Sequence, residues 1–158
     1  MSIEIERRFL IKNASWEKLI NKKTNIVQGY LSSNNEGWIV RIRSENNKFK
    51  LTLKKNIDNS SNFEFEYEIP KNDGEIIISK IRKPIIKERF YLLFNERTWI
   101  IDRFQEDNFP LEIAEIELNK IDEEIELPSF LSKEITGLKN FSNFELFNKP
   151  FSSWKQNS

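Results

Sequence analysis

Apolar and charged residues alternate with a period of two along most of the chain. In Ile3-Glu4-Ile5-Glu6-Arg7-Arg8-Phe9-Leu10, positions 4, 6 and 8 fall on one face of a strand, with Ile3, Ile5 and Phe9 on the other. The same alternation predicts strands over 38–43, 48–54, 63–69, 86–92, 99–104 and 113–118, and Gln28-Gly29-Tyr30-Leu31 predicts a further short one. Asn, Ser and Gly clusters at 32–37, at Asn46-Asn47 and at 56–62 predict turns or loops between several of these runs. Helical signals are fewer. Ser15 is placed to cap a helix carrying Trp16, Leu19 and Ile20, and Asp73 to cap one running from Glu75 to Ile81. A short helix is expected over 122–127, stopped by Pro128, and a last one carrying Phe141, Phe144, Leu146 and Phe147 before Pro150. About eight strands with scattered helices predict an α+β domain dominated by an antiparallel sheet, able to close into a barrel.

Composition narrows the chemistry. A chain of 158 residues fits one core, so a single domain over 1–150 is expected, with a tail at 151–158. The 25 Lys plus Arg balance 25 Asp plus Glu, which argues against a uniformly basic nucleic-acid binder. The 13 Phe and 4 Trp supply core material that a disordered polyelectrolyte lacks. There is no Cys, which excludes disulfide scaffolds, zinc ribbons and thiol nucleophiles. There is no His, which removes Ser-His triads and the commonest general base. Hydrolytic chemistry must then use carboxylates, Lys, Tyr or a hard metal ion. MSIEIERRF carries charges where a signal peptide needs an apolar run, and no stretch is apolar enough to span a bilayer. A soluble cytoplasmic protein without a membrane partner is expected.

Sorted by strand face, the charges form same-sign groups. Glu4 and Glu6 share a face, as do Arg41 and Arg43, Lys50 and Lys54, Glu64, Glu66 and Glu68, Lys87 and Arg89, and Glu115 and Glu117. Asp102 stands among apolar neighbours. A wet sheet face paired across strands would explain any one of these runs. Same-sign doublets repel, however, and a wet face has no need of them. Carboxylates hold hard divalent cations, while guanidinium and ammonium groups hold phosphate oxygens. With the charged faces turned inward, a closed sheet would enclose a site for a metal–polyphosphate complex.

Several segments, taken in order, resemble the CYTH superfamily of triphosphate tunnel metalloenzymes. Glu4-Ile5-Glu6-Arg7-Arg8 resembles its N-terminal Glu-x-Glu-x-Lys signature. Gln28-Gly29-Tyr30-Leu31 resembles its second strand, and Arg41-Ile42-Arg43 with Leu51-Thr52-Leu53-Lys54 its paired basic strands. Glu66-Tyr67-Glu68-Ile69-Pro70, then Lys87 with Arg89, Ile101-Asp102-Arg103-Phe104 and Ala114-Glu115-Ile116-Glu117-Leu118 follow in the family's order. Lys133-Glu134-Ile135-Thr136, with Phe141 and Asn143, is similar to its C-terminal stretch. Three places depart from the pattern. Arg8 stands for the signature Lys, Glu64 occupies a position that is basic in many members, and Ser132 and Lys139 replace Gly and Arg.

The resemblance implies a closed eight-stranded antiparallel β-barrel, a tunnel with a charged interior and helices packed outside. It implies divalent-metal-dependent hydrolysis of inorganic triphosphate, with Mg²⁺ or Mn²⁺ as cofactor. Arg8, Arg41, Arg43, Lys50, Lys54, Lys87 and Arg89 would bind the substrate. Glu4 and Glu6 would hold one ion, and Glu115 and Glu117, with Glu66 and Glu68, a second. Asp102 joins the metal-ligand candidates. Lys87 and Arg89 would stabilise the transferred phosphoryl group, and Glu117 would act at the nucleophilic water. The partner is a small triphosphate rather than nucleic acid, and the chain a monomer or homodimer. Alternatives on the same fold are a thiamine triphosphatase or an adenylate cyclase; outside catalysis, the alternative is a polyphosphate-binding module.

Overall fold

The computed structural model describes residues 2–154. Its strands are β1 (Ile3–Ile11), β2 (Ile20–Ser33), β3 (Trp38–Glu45), β4 (Lys48–Asn56), β5 (Ser61–Ile69), β6 (Ile85–Phe94), β7 (Arg97–Phe104), β8 (Glu112–Glu117) and β9 (Leu131–Glu134). They form one sheet in the order β5-β4-β3-β2-β6-β7-β8-β1-β9. β1 also pairs with β5, placing Ile3 opposite Phe63 and Ile5 opposite Ser61. That pairing closes the first eight strands into the expected antiparallel barrel and removes the open edges of a flat sheet. β9 takes the rest of the same edge of β1, with Ile11 opposite Leu131.

The Asn46-Asn47 turn has both residues at positive φ, 53° and 62°, as a two-residue hairpin between Glu45 and Lys48 requires. β2 is longer than the short strand its sequence predicts. Its first half pairs with β6 from Ile20 to Gln28, although Asn21-Lys22-Lys23-Thr24-Asn25 shows no apolar alternation. Cross-strand pairing, not local pattern, makes this segment a strand.

The helices are short. The Trp16 segment is a 3-10 helix, Ala14–Leu19, and its cap is Asn13, whose side chain accepts from the Ser15 amide, rather than Ser15 itself. The Asp73 region is helix α1 (Lys71–Ser79), which begins directly after Pro70 without a side-chain cap. The last helix is α2 (Asn143–Asn148), capped by Ser142. The helix expected over 122–127 does not form. There the Glu123 carboxylate bonds the Asn119 amide and the Arg97 guanidinium, which holds a turn in its place.

Two apolar clusters flank the charged interior. Outside the barrel, Phe9, Phe90, Leu92, Trp99, Ile101, Ala114 and Ile116 pack under Trp16, Leu118 and Phe130. α1 covers β3 and β4, where Gly74 lies so close to Phe49 that an added Cβ would come within 2.2 Å of the ring. The second cluster holds Ile85, Phe104, Leu111 and Ile113 with Ile135 and Leu146. Register puts Ile85 two positions before Lys87, and Phe104 two after Asp102, on the same strand faces. α2 therefore packs against this cluster beside the lumen, which corrects the expectation that all helices pack outside. The expected tail begins with Phe151 to Trp154; the Trp154 ring meets those of Phe151 and Phe141 edge-on. Positions 155–158 lie outside the described residues.

Trp99 is fully buried, with its ring 5.9 Å from that of Phe9. Replacing it with Ala should cost about 3–5 kcal/mol, read as a lower urea midpoint at constant m-value. A loss under about 1 kcal/mol would mean that this outer cluster does not hold the barrel together.

Candidate active site

Antiparallel register carries the like-charged faces onto a common wall. Glu6 lies opposite Glu117 and Arg8 opposite Glu115. Arg41 lies opposite Thr52, which lies opposite Glu66; Lys54 lies opposite Glu64; and Arg89 lies opposite Asp102. Directly opposed residues project to the same side of a sheet. A cavity of about 660 Å³ opens among them, lined by Glu4, Glu6, Arg8, Arg41, Arg43, Lys54, Arg89 and Glu115, with Glu66 and Glu117. A second cavity of about 300 Å³ lies at the Asn46 turn; it shares Arg43, Glu45 and Glu66 with the first and is reached by Lys50.

The acidic part of the site centres on Glu4, Glu6 and Glu115. Burial raises Glu4 to about 7, with Glu115 and Glu64 adding to the rise and Lys54 opposing it. Burial likewise raises Glu6 well above the usual carboxylate range, with Glu115 and Glu4 repelling its charge. Burial also penalises the Glu115 anion, but a hydrogen bond from Glu6 and the charges of Arg8 and Arg89 bring it down to about 2. Crowded, desolvated oxygen donors whose negative charge is disfavoured suit a hard divalent cation, so the donor set fits the implied ion. Among the described residues no three carboxylates already converge into a closed cage. An ion there would need phosphate and water oxygens to complete its shell. Glu117 is exposed at the cavity margin.

The basic side chains are held in place by pairs. Arg8 reaches Glu115 at 3.5 Å and donates to the Phe141 carbonyl at 3.0 Å. A lysine has no fork with which to span both. Arg41 donates to Thr52 and Glu66, and its buried Nε has no partner. Lys54 lies 3.2 Å from Glu4 and 3.5 Å from Glu64. Burial disfavours its charge, but Glu4 and Glu6 outweigh that and raise its pKa. Arg43 lies deep in the barrel facing both cavities, and burial together with Arg41 and Arg89 lowers it to about 10.

Three candidates line neither cavity. Lys87 and Asp102 face inward but lie behind its wall. Lys87 Nζ bonds Asp102 at 2.7 Å and Asn143 at 2.9 Å, and its side chain is inaccessible. Both Asp102 oxygens are taken by Arg89 at 2.8 Å, with Lys87 on one of them. Lys87 and Asp102 are thus engaged with one another, with Arg89 and with Asn143, and neither lines the cavity. Glu68 is exposed, 3.9 Å from Lys48, and lines neither cavity. Glu66 lines both cavities, but it is committed to Arg41, Thr52 and Lys50.

Other residues join the lining. Glu64 sits beside Glu4 and Lys54. Tyr30 lines the cavity while its ring meets those of Phe144 and Phe147. Thr136, Lys139 and Asn143 arrive on the C-terminal segment. For Glu64 the alternation supplied the signal, since it shares a face with Glu66. For the C-terminal segment nothing local marks the contact.

A closed antiparallel barrel with carboxylates and guanidinium groups lining one lumen is the architecture of a triphosphate tunnel. Residues 2–147 match the CYTH domain, and the chain belongs to that family. It is 32% identical to an inorganic triphosphatase of Acetivibrio thermocellus, over 99% of this chain and all of the relative. The structure resembles that of the inorganic triphosphatase NE1496, with a TM-score of 0.67 at 24% identity, covering 90% of this chain and 93% of the other. It also resembles a putative adenylyl cyclase from Hippeastrum described as having a dominant triphosphatase activity, with a TM-score of 0.56 at 14% identity over 76% and 80% of the two chains. No helix among the described residues is long and apolar enough to cross a membrane.

Asp102 makes a testable contribution to stability. Burial alone would raise its pKa, but Arg89 and Lys87 hold it far below the ordinary value. A depressed carboxyl stabilises the fold above its unfolded pKa of about 3.9, and that stability is lost as pH falls below it. Asp102→Ala should cost about 3–5 kcal/mol at pH 7, because it leaves two buried cations unpaired. It should also flatten the fall in stability between about pH 5 and pH 2 in urea titrations. An acid limb as steep as that of the wild type would show that Asp102 is not charged in the fold.

Proposed function

We propose that this protein hydrolyses inorganic triphosphate (tripolyphosphate) to pyrophosphate and phosphate with a divalent metal ion, Mg²⁺ or Mn²⁺. The observation that carries this reading is one enclosed lumen lined both by Arg8, Arg41, Arg43, Lys54 and Arg89 and by Glu4, Glu6 and Glu115. The name of the Acetivibrio thermocellus relative supports the choice of substrate.

In this reading the basic residues bind the phosphoryl oxygens. Each charge-assisted bond contributes about 1.5–3 kcal/mol, less the cost of freeing the cation from its acid partner. Glu4, Glu6 and Glu115 hold the ion. When bound, a hard divalent ion supplies Lewis-acid stabilisation of the negative charge on phosphoryl oxygens. Arg89 is fixed by both Asp102 oxygens and presents a preorganised charge to the transferred phosphoryl group. With no His in the chain, we assign the proton of the attacking water to a carboxylate. Glu117 is assigned this role because it is wetted and lies across from Glu6. Lys87 supports Asp102 and Asn143 instead of touching the substrate.

The test is phosphate release from tripolyphosphate, ATP, thiamine triphosphate and pyrophosphate, with and without divalent metal. Tripolyphosphate should turn over fastest, and chelator should abolish turnover. Glu4→Gln and Glu6→Gln should each lower turnover by about tenfold or more while the protein stays folded. Near-wild-type rates in both would remove those residues from metal binding. Cyclic AMP formed from ATP with little triphosphate hydrolysis would overturn the substrate assignment, and tight binding without turnover would make the protein a binding module.

A further inference from the structure

Most lumenal cations have an acid beside them. Arg8 has Glu115, Arg41 has Glu66, Lys54 has Glu4 and Glu64, and Lys87 and Arg89 share Asp102. Arg43 has no carboxylate within 4 Å among the described residues. Register explains the gap. Its cross-strand neighbours are Gln28 on β2 and Lys50 on β4, so neither strand offers an acid. The nearest acid on its own strand face, Glu45, is held by the Thr24 and Tyr91 hydroxyls at 2.6 and 2.7 Å.

What Arg43 has instead is a neutral acceptor. Its Nε donates to Gln28 Oε1 at 2.8 Å. Gln28 is fully buried, and its Nε2 donates to Asn143 Oδ1 at 3.1 Å. The same Asn143 oxygen accepts from Lys87 Nζ at 2.9 Å. These bonds fix which way each amide points, because a flipped Gln28 would set its NH₂ against the Arg43 N–H. One terminus of the chain of contacts is the buried Asp102 cluster, and the other is a guanidinium facing both cavities. A Glu in place of Gln28 would give Arg43 an acid partner, but it would set a carboxylate oxygen against Asn143 Oδ1 in place of the Gln28 NH₂ donor. It would also cancel the charge that the lumen presents.

We propose that Gln28 is a positioning and specificity-determining residue, which aims Arg43 into the lumen through an uncharged contact locked by Asn143 and so leaves its full positive charge for a polyanionic phosphate chain. The inference rests on the triphosphatase reading, and it assigns to the neutral contact a role that a merely structural amide would not have.

The experiment compares wild type, Gln28→Glu and Gln28→Met, measuring Tm together with KM and kcat for tripolyphosphate. Gln28→Glu should raise KM by about tenfold or more, with a smaller change in kcat. Gln28→Met keeps the Arg43 charge but removes its acceptor; it should lower Tm and raise KM by less than Gln28→Glu does. A KM within about twofold of wild type in Gln28→Glu, or a rise no larger than that in Gln28→Met, would overturn the assignment. Should Gln28→Glu fail to fold, an unchanged KM in Gln28→Met would overturn it alone. Wild-type protein without tripolyphosphate turnover would overturn the proposed function and this inference together, whereas wild-type turnover with unmoved KM in the variants would overturn only this one.

Discussion

Closure of the sheet through β1 and β5 is the constraint on which the rest depends. Once Ile3 pairs with Phe63 and Ile5 with Ser61, the period-two alternation commits one face of every strand to the inside. This chain commits its charges there. Enclosing so many ions is unfavourable unless each finds a partner, and the pairs of Arg41 with Glu66, Lys54 with Glu4 and Arg89 with Asp102 supply most of that compensation. The outer faces are correspondingly apolar and need covers. Trp16, the segment around Phe130 and helix α1 provide them.

The lumen is not uniform, and its division follows from the ends of the strands. Toward Ile85, Phe104 and Ile113 the inward positions are apolar, and α2 seals them with Leu146. The same segment brings Asn143 over Lys87, whose ammonium donates to it at 2.9 Å. Two carboxylates that look alike in sequence end with opposite electrostatics. Asp102 is surrounded by donors that favour its charge, while burial and neighbouring carboxylates disfavour the charge of Glu6. Environment, not residue type, separates the residue that stabilises the barrel from those suited to a cation.

Much of this was legible in the chain itself. The charged alternation of β1, β3, β4, β5 and β8 predicts both the strands and the residues that share a face, and the cavity is lined from those faces. β2 was harder to read. Its lumenal positions are Thr24, Ile26, Gln28 and Tyr30, a mixture without a hydrophobic period, and its length is set by pairing with β6. Gln28 could not be singled out, because its role comes from a register partner on β3 and a residue 115 positions away. Alternation assigns Lys87 and Asp102 correctly to the inner face; it does not reveal that a distant asparagine covers them. The Arg8 departure from the family signature gains a structural meaning only when the Phe141 carbonyl is beside it.

The most direct measurement is a crystal structure of the protein with Mn²⁺ and tripolyphosphate, with the metal located by its anomalous scattering. The expected result is manganese among Glu4, Glu6 and Glu115 inside the barrel, with phosphoryl oxygens against Arg41 and Arg43. Manganese and triphosphate held on the outer surface, with that lumen taking neither, would contradict it.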